Sequence, residues 1–359
     1  MVESLRNLNE QLNQKGSRLF LFYGKTPDVI HQLIEEEKIE GFFSKKDYTP
    51  FAQKWDAEIE ALCKKLDIQF HTFHDALLQP PGTLLKKDGT PYIIYTPYFR
   101  KASEIPIARV QQNQHKNYFS GKIQGSKSLS FLGKLMTPNP KRALHGGQKE
   151  GLKLISKVKN QKAYQKERDF PALDSTTHLS THHKFGTLSV REIYYKTLDQ
   201  FDRKHGLIGE LLWRDFFTQI AFHFPHVFQG SFRKKYDHLQ WSENNAHFKK
   251  WCEGKTGFLI VDAGMRELNK TGYMHNQVRM ITASFLVKDL HINWRKGERY
   301  FAQKLVDHDP SVNNGNWQWP PARGVMHSPT FVFLIPGGSR NGLMPRGYTS
   351  KNGFQSLKH

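Results

Sequence analysis

The hydrophobic pattern changes period along the chain, and that change limits the folds open to it. Up to about residue 100, short apolar runs alternate with helical stretches. Leu5, Leu8 and Leu12 share one helical face, and Gly16 ends that helix. Residues 19–23 (Leu-Phe-Leu-Phe-Tyr) read as a buried strand, and Thr26-Pro27-Asp28 opens a helix to about residue 38. Gly41-Phe42-Phe43 reads as a second strand. A long helix with Phe51, Trp55, Ile59 and Leu62 follows over residues 50–65, then a third strand over 68–73. Strands alternating with helices imply a parallel sheet. Residues 78–83 and 86–90 read as turns, 101–150 as a connector dotted with Gly, Pro and Ser, and 151–319 as mostly helical. The expected organisation is an α/β N-terminal domain over 1–100, a basic linker over 101–150 and an all-α domain over 151–319. A tail over 320–359 differs in character. After Asp309 the last fifty residues hold no Asp or Glu, Gly and Pro become frequent, and helical periodicity stops. Such a stretch fits a functional tail, or a chain that has left its reading frame.

Charge narrows the function classes. The formal net charge is +20, and residues 101–160 carry twelve Lys/Arg against Glu104 and Glu150, so half the excess sits in one-sixth of the chain. A polyanion such as nucleic acid is one reading, because cations release phosphate counterions. A soluble basic linker is the other, and a charge run alone favours it. No apolar run is long enough to cross a bilayer. The first fifteen residues are polar and lack the apolar core of a secretory signal. Two cysteines, Cys63 and Cys252, exclude a disulfide scaffold and a cysteine-rich zinc site, so a reduced, cytoplasmic setting and no metal are expected.

Generic motifs are absent: there is no Gly-x-Gly-x-x-Gly, no P-loop and no His-Glu-x-x-His. His182-His183 and His223/His226 lack ligand spacing with carboxylates and read as core or solvated histidines. Glu210 and Trp213 lie three apart on one helix face, an arrangement that could hydrogen-bond and stack on a flat heterocycle. Alone, that pair reads better as a buried Trp beside a solvated Glu.

The succession of blocks is more specific. Gly209-Glu210-Leu211-Leu212-Trp213-Arg214-Asp215 is followed by Trp251-Cys252-Glu253-Gly254 and Asp262-Ala263-Gly264-Met265-Arg266. Then come Met274-His275-Asn276-Gln277-Val278-Arg279-Met280, Trp294-Arg295-Lys296-Gly297, Asp307-His308-Asp309 and Asn313-Asn314-Gly315-Asn316-Trp317-Gln318-Trp319. Upstream stand Gln79-Pro80-Pro81-Gly82-Thr83, Tyr95-Thr96-Pro97-Tyr98, Gly146-Gly147, Tyr164 with Arg168-Asp169-Phe170-Pro171, Thr176-Thr177-His178-Leu179-Ser180 and Lys184-Phe185-Gly186. In this order the blocks resemble the DNA photolyase/cryptochrome family, most closely its cyclobutane-dimer photolyases, from about residue 3 to 319. Taken alone, Thr176 to Ser180 would be only a helix cap.

The resemblance implies an incomplete doubly wound parallel sheet in the α/β domain and an all-α FAD-binding domain. It implies light-driven repair of pyrimidine dimers in DNA: excited reduced FAD passes an electron to a flipped-out dimer, the ring splits and the electron returns. Tyr164, Thr176, Thr177, Leu179 and Ser180 would hold the FAD diphosphate and ribityl chain. Arg279 would pair with Asp307 beside the isoalloxazine, Asp309 would lie on the same side, and Asn313 would face N5. Glu210, Trp213, Asn276, Met280 and Trp319 would line the dimer pocket, with Asn313 adjoining it. Arg214 would touch DNA backbone, and Trp317, Trp294 and Trp241 would relay electrons from the surface to the flavin. DNA containing pyrimidine dimers is the implied partner, and a monomer is expected.

Three departures from the family pattern set further expectations. The first strand, with its Trp-Phe-Arg-Arg-Asp-Leu-Arg-like motif, has no counterpart ahead of Glu3. Gln277 stands where many members have Arg, and no antenna carboxylate pattern is evident near Asp47-Tyr48-Thr49-Pro50, so a second antenna chromophore (pterin or flavin) is not expected. Beyond Trp319 the resemblance ends. The chain is therefore expected to be a photolyase shortened at both ends, with impaired activity. The competing expectations are a cryptochrome-like blue-light flavoprotein without repair, and a basic nucleic-acid-binding protein with no cofactor.

Overall fold

A computed structural model describes the backbone of residues 1–327 and the side chains of residues 1–318. Most of the tail expected over 320–359 therefore lies outside the described residues, as does the side chain of Trp319.

The first part of the chain follows its hydrophobic pattern closely. Helix α1 (Val2–Asn13) leads to α2 (Thr26–Glu37), β1 (Gly41–Lys45), α3 (Pro50–Lys65) and β2 (Gln69–Phe73). Thr49 caps α3 by accepting the Ala52 N–H, and Pro50 opens the helix where its missing donor is not needed. β1 and β2 pair in parallel, Gly41 opposite Gln69 and Lys45 opposite Phe73. That register puts Phe42 beside Phe70, their rings 5.7 Å apart, against Ile30 and Ile34 of α2 and Ile59 and Cys63 of α3.

Two expectations need correcting here. Residues 19–23 do not form a strand: only Leu21 makes a bridge, antiparallel to Lys127. A strand needs a neighbour for its ladder, and among the described residues the sheet has only β1 and β2. Tyr95-Thr96-Pro97-Tyr98, which the family resemblance implies is a loop ending the α/β domain, is instead the first turn of α4 (Tyr95–Glu104). Pro is tolerated in a first turn, so the Thr-Pro pair is a poor turn signal there.

The helical part begins after Gly147 with α5 (Gln148–Ser156). It continues through α6 (Tyr164–Glu167), α7 (Ser180–Phe185), α8 (Val190–Leu198), α9 (Gly206–His223), α10 (Asn245–Glu253), α11 (Leu259–Thr271), α12 (Asn276–Ser284), α13 (Trp294–Lys304) and α14 (Pro310–His327). α9 is apolar nearly all round because it is central, with α4, α8 and α14 packed on it. One apolar cluster joins Tyr98, Val158, Ile193, Leu211 and Phe216; a second joins Trp251, Met265, Leu286, Phe301 and Trp317.

α14 is helical although helical periodicity stops after Asp309, and its backbone runs past the expected domain end at 319 to His327. Asp309 Oδ1 accepts the N–H groups of Ser311 and Val312, and Pro310 occupies the first helical position. The buried face of the helix is Ser311, Asn314 and Trp317, two of them polar. Asn314 is satisfied by donating to the Val227 carbonyl. A helix buried through polar residues shows no hydrophobic period.

The loop after β2 is clipped to α9. Asp215 Oδ2 accepts the Gln79 N–H at 2.9 Å, Gln219 Oε1 accepts the Gly82 N–H, and Arg214 donates to the Ala76 carbonyl. Asp215 is fully buried, and Oδ1 makes no hydrogen bond. Burial pushes its carboxyl up to about 7, although the Arg214 guanidinium and the N–H groups of Gln79 and Leu78 pull it down. The folded state therefore holds a proton that the unfolded chain releases. The resulting stabilisation is full below pH 3.8 and is lost as pH rises to about 7. Asp215→Asn, neutral and isosteric, should abolish that slope. Urea midpoints measured below and above this window check it; parallel pH profiles for the two proteins would count against a buried titrating carboxyl.

Candidate functional site

Segments far apart in sequence enclose one cavity of about 300 Å³. Tyr164 of α6, the segment Thr176-Thr177-His178-Leu179 and Ser180 of α7 form one wall. Asn276, Arg279 and Met280 of α12 share a helix side through their i, i+3, i+4 spacing and form a second. Asp307, Asp309, Asn313 and Trp317 enter along α14 and the turn before it, and Glu210 and Arg214 enter from α9. Fourteen of the residues singled out from sequence thus meet at one void.

Charge in the cavity is organised in ion pairs. Arg279 Nη2 lies 2.9 Å from Asp307 Oδ2, and its Nε donates to the Met274 carbonyl. Burial pushes the Asp307 carboxyl up, but Arg279 outweighs it and holds the group below the usual carboxylate range. Lys184 pairs with Asp309 at 3.3 Å, and the latter carboxyl is likewise held low against burial by Lys184 and Arg214. Arg168 pairs with Glu210 and lies over the Tyr164 ring. His183 also lines the cavity, and burial pushes its pKa down to about 3, so it is neutral. Asn313 donates from Nδ2 to both the backbone carbonyl and Oε1 of Glu298, at 3.2 and 3.0 Å. That leaves its Oδ1 as the acceptor for a ligand.

Some expected residues sit elsewhere. Trp213 does not line the cavity. Its indole stacks face to face with Tyr95, ring centres 3.5 Å apart and planes 9° apart. Trp294 and Trp241 lie in and against the second apolar cluster, which Trp317 joins to the cavity. Gly297 makes this packing possible, because a Cβ there would overlap the Trp317 ring. The segment at 176–180 does not cap α7 with a side chain, which removes the helix-cap reading. Arg168, Lys184, Tyr273 and His308 were not singled out as site residues. Their signals are weak in sequence because the partners of Arg168 and Lys184 lie 42 and 125 residues away.

The donor set suits a ligand that is part anion and part flat ring. Thr176 Oγ1 and Asp307 Oδ1 are buried without hydrogen-bond partners, although both residues face the cavity. Buried polar atoms of this kind are normally satisfied, so a polar ligand there would complete them. Thr176, Thr177 and Ser180 offer hydroxyl groups for a diphosphate beside the paired Arg279 and Lys184, while Leu179, Leu207, Phe301 and Trp317 offer apolar walls; Arg214, expected at DNA backbone, instead lines the cavity and donates to the Ala76 carbonyl. The residues fit FAD on these grounds. No cluster of metal-ligating side chains occurs among the described residues.

Known proteins share this arrangement of segments. Residues 1–114 match the family model described as DNA photolyase, and residues 207–345 match the FAD binding domain of DNA photolyase. The second match runs past Trp319, where the resemblance read from the motifs ends. A deoxyribodipyrimidine photo-lyase of Alkalihalophilus pseudofirmus is 34% identical over 348 residues, covering 93% of this chain and 72% of the relative. The solved archaeal photolyase from Sulfolobus tokodaii, which holds two FAD molecules, is similar at 37% identity and a TM-score of 0.80, over 91% of this chain and 72% of that one. A class III photolyase from Agrobacterium tumefaciens is similar at 33% identity and a TM-score of 0.85, over 94% and 73%.

Proposed function

This chain belongs to the DNA photolyase/cryptochrome family, and from that premise we propose that it is a deoxyribodipyrimidine photo-lyase, repairing cyclobutane pyrimidine dimers in DNA with light and FAD. The observation that carries the reading is the convergence of Thr177, Arg279, Asp307 and Asn313 on one void, with Glu210, Asn276 and Met280 beside them. Bound FAD, reduced and excited by light, would supply the electron that opens the dimer and recover it afterwards.

The chain's own residues bind and orient. Tyr164, Thr176, Thr177, Leu179 and Ser180 hold the cofactor, with Arg279 paired to Asp307 and Asp309 paired to Lys184 alongside. Asn313, steered by Glu298, presents an acceptor to the ring. Glu210, kept in place by Arg168, accepts hydrogen bonds from the extruded bases, and Asn276 contributes a second polar anchor. Trp213, stacked on Tyr95 one helical turn from Glu210, is the aromatic side chain offered to the bases, and Met280 is an apolar one at the mouth. Extruding a damaged, poorly stacked pair costs about a few kcal/mol, less than for an intact pair. The charge of +20 tracks phosphates without reading sequence. Trp317, Trp294 and Trp241 relay electrons inward from the surface. No helix among the described residues is long and apolar enough to cross a membrane. Free Cys63 and Cys252 favour a reduced, cytoplasmic setting, where the protein acts as a monomer.

The test is to purify the full chain and follow dimer loss in an irradiated oligonucleotide under blue light and in the dark. Light-dependent loss with flavin bound is the expected result. Bound flavin without any repair would favour a blue-light sensor instead. A colourless protein that binds intact and irradiated DNA equally would overturn both.

A further inference from the structure

We infer that Tyr95 is a positioning residue for Trp213, fixing the orientation of an indole that lies one helical turn from the cavity-lining Glu210. This rests on the reading above and deepens it. Tyr95 begins α4, a helix outside the segments that enclose the cavity. Its ring covers Trp213 at 3.5 Å between centres with planes 9° apart, and meets Phe216 edge-on at 5.7 Å. Its hydroxyl donates to the Gly209 carbonyl at 2.7 Å. In an α-helix that carbonyl is also the acceptor for the backbone N–H of Trp213, four residues on. Tyr95 therefore grips both the indole and the turn that carries it.

The base of the grip is rigid. One turn further along α4, Tyr98 is fully buried against Phe216, and α4 as a whole packs on α9. Burial raises the Tyr95 hydroxyl well above its ordinary pKa, so it stays a donor at working pH. Glu210 lies one turn from Trp213 on the same helix and does line the cavity. Phe216 and Phe217 also flank the indole, at 5.7 and 5.3 Å between ring centres, but Tyr95 makes the closest stack, and fixing the ring in advance removes an ordering cost from binding. Tyr95 does not touch the cavity; it acts through Trp213.

The experiment is a double-mutant cycle on the flavin-loaded protein, read as affinity for dimer-containing and for intact oligonucleotide. Tyr95→Ala should weaken dimer binding about tenfold, the scale of one aromatic stacking contact, and leave affinity for intact DNA unchanged. Tyr95→Phe, which keeps the ring, should recover most of the loss. Tyr95→Ala combined with Trp213→Ala should bind no worse than Trp213→Ala alone, because the tyrosine has nothing left to position. Additive losses, or a Tyr95→Ala protein that still discriminates like the parent, would overturn the inference. A parent protein that fails to prefer damaged DNA would sink the repair reading instead. In that case near-ultraviolet circular dichroism decides: Tyr95→Ala and Trp213→Phe should delete the same stacking band, and different spectra would refute the grip.

Discussion

Arg279→Leu should destabilise the protein by about 3–5 kcal/mol and leave it without flavin, because it strands a buried carboxylate. Asp307 is nearly inaccessible, with a side chain 3% exposed, and Arg279 is its ion-pair partner at 2.9 Å. The same guanidinium ties α12 to the Met274 carbonyl, so one substitution loosens both the helix start and the cavity wall. A melting scan should show a fall of roughly 5–15 °C. The pH response should also reverse. In the parent, the low carboxyl pKa of Asp307 contributes stability above 3.8 that is lost as pH falls through the folded value. In Arg279→Leu the unpaired carboxyl is best tolerated protonated, so acid should help rather than harm. Adding Asp307→Asn to Arg279→Leu should restore part of the loss. A single variant that melts like the parent and keeps its flavin would remove the pair from the account of this site.

Trp251→Ala is expected to cost about 3–5 kcal/mol by leaving a void in the second apolar cluster. Trp251 has no exposed surface, and its Nε1–H donates to the Thr282 carbonyl at 3.0 Å. Phe248, Phe301 and Trp317 surround it, with ring centres 5.9, 5.9 and 6.4 Å away. The effect reaches the cavity because Trp317 and Phe301 line both. Guanidinium unfolding should show a lower midpoint, and gel filtration should release flavin from the variant at denaturant concentrations the parent withstands. Trp251→Phe, which forfeits only the indole donor and part of the volume, should lose less. If the alanine variant retained its midpoint, the cluster would not be the support of this wall.

Much of the site was legible because its chemistry is carried by blocks. Glu210 with Arg214, and Asn276 with Arg279 and Met280, sit within one turn, where helical spacing alone aims them together, and Asp307, Asp309 and Asn313 sit close in sequence across the turn that opens α14. The pairs that cross between blocks were not legible. Arg168 with Glu210, Lys184 with Asp309 and Tyr95 with Trp213 join residues 42, 125 and 118 positions apart, and no local rule links such positions.

The same division holds for the fold. Sequence alone settled α2, β1, α3 and β2, because period, caps and Pro positions act within a few residues. It also gave residues 151–319 as mostly helical, as α5 to α14 are. Tertiary structure decided three other matters. Residues 19–23 lacked a partner for a ladder and became irregular despite their apolar run. The Thr-Pro pair at 96–97 became helix because α9 offered Tyr98 and Ala102 a surface to bury against. α14 formed although its inner face holds Ser311 and Asn314, because Asp309 caps it and the Val227 carbonyl satisfies Asn314. In each case the deciding energy came from a contact across the chain, which local spacing does not encode.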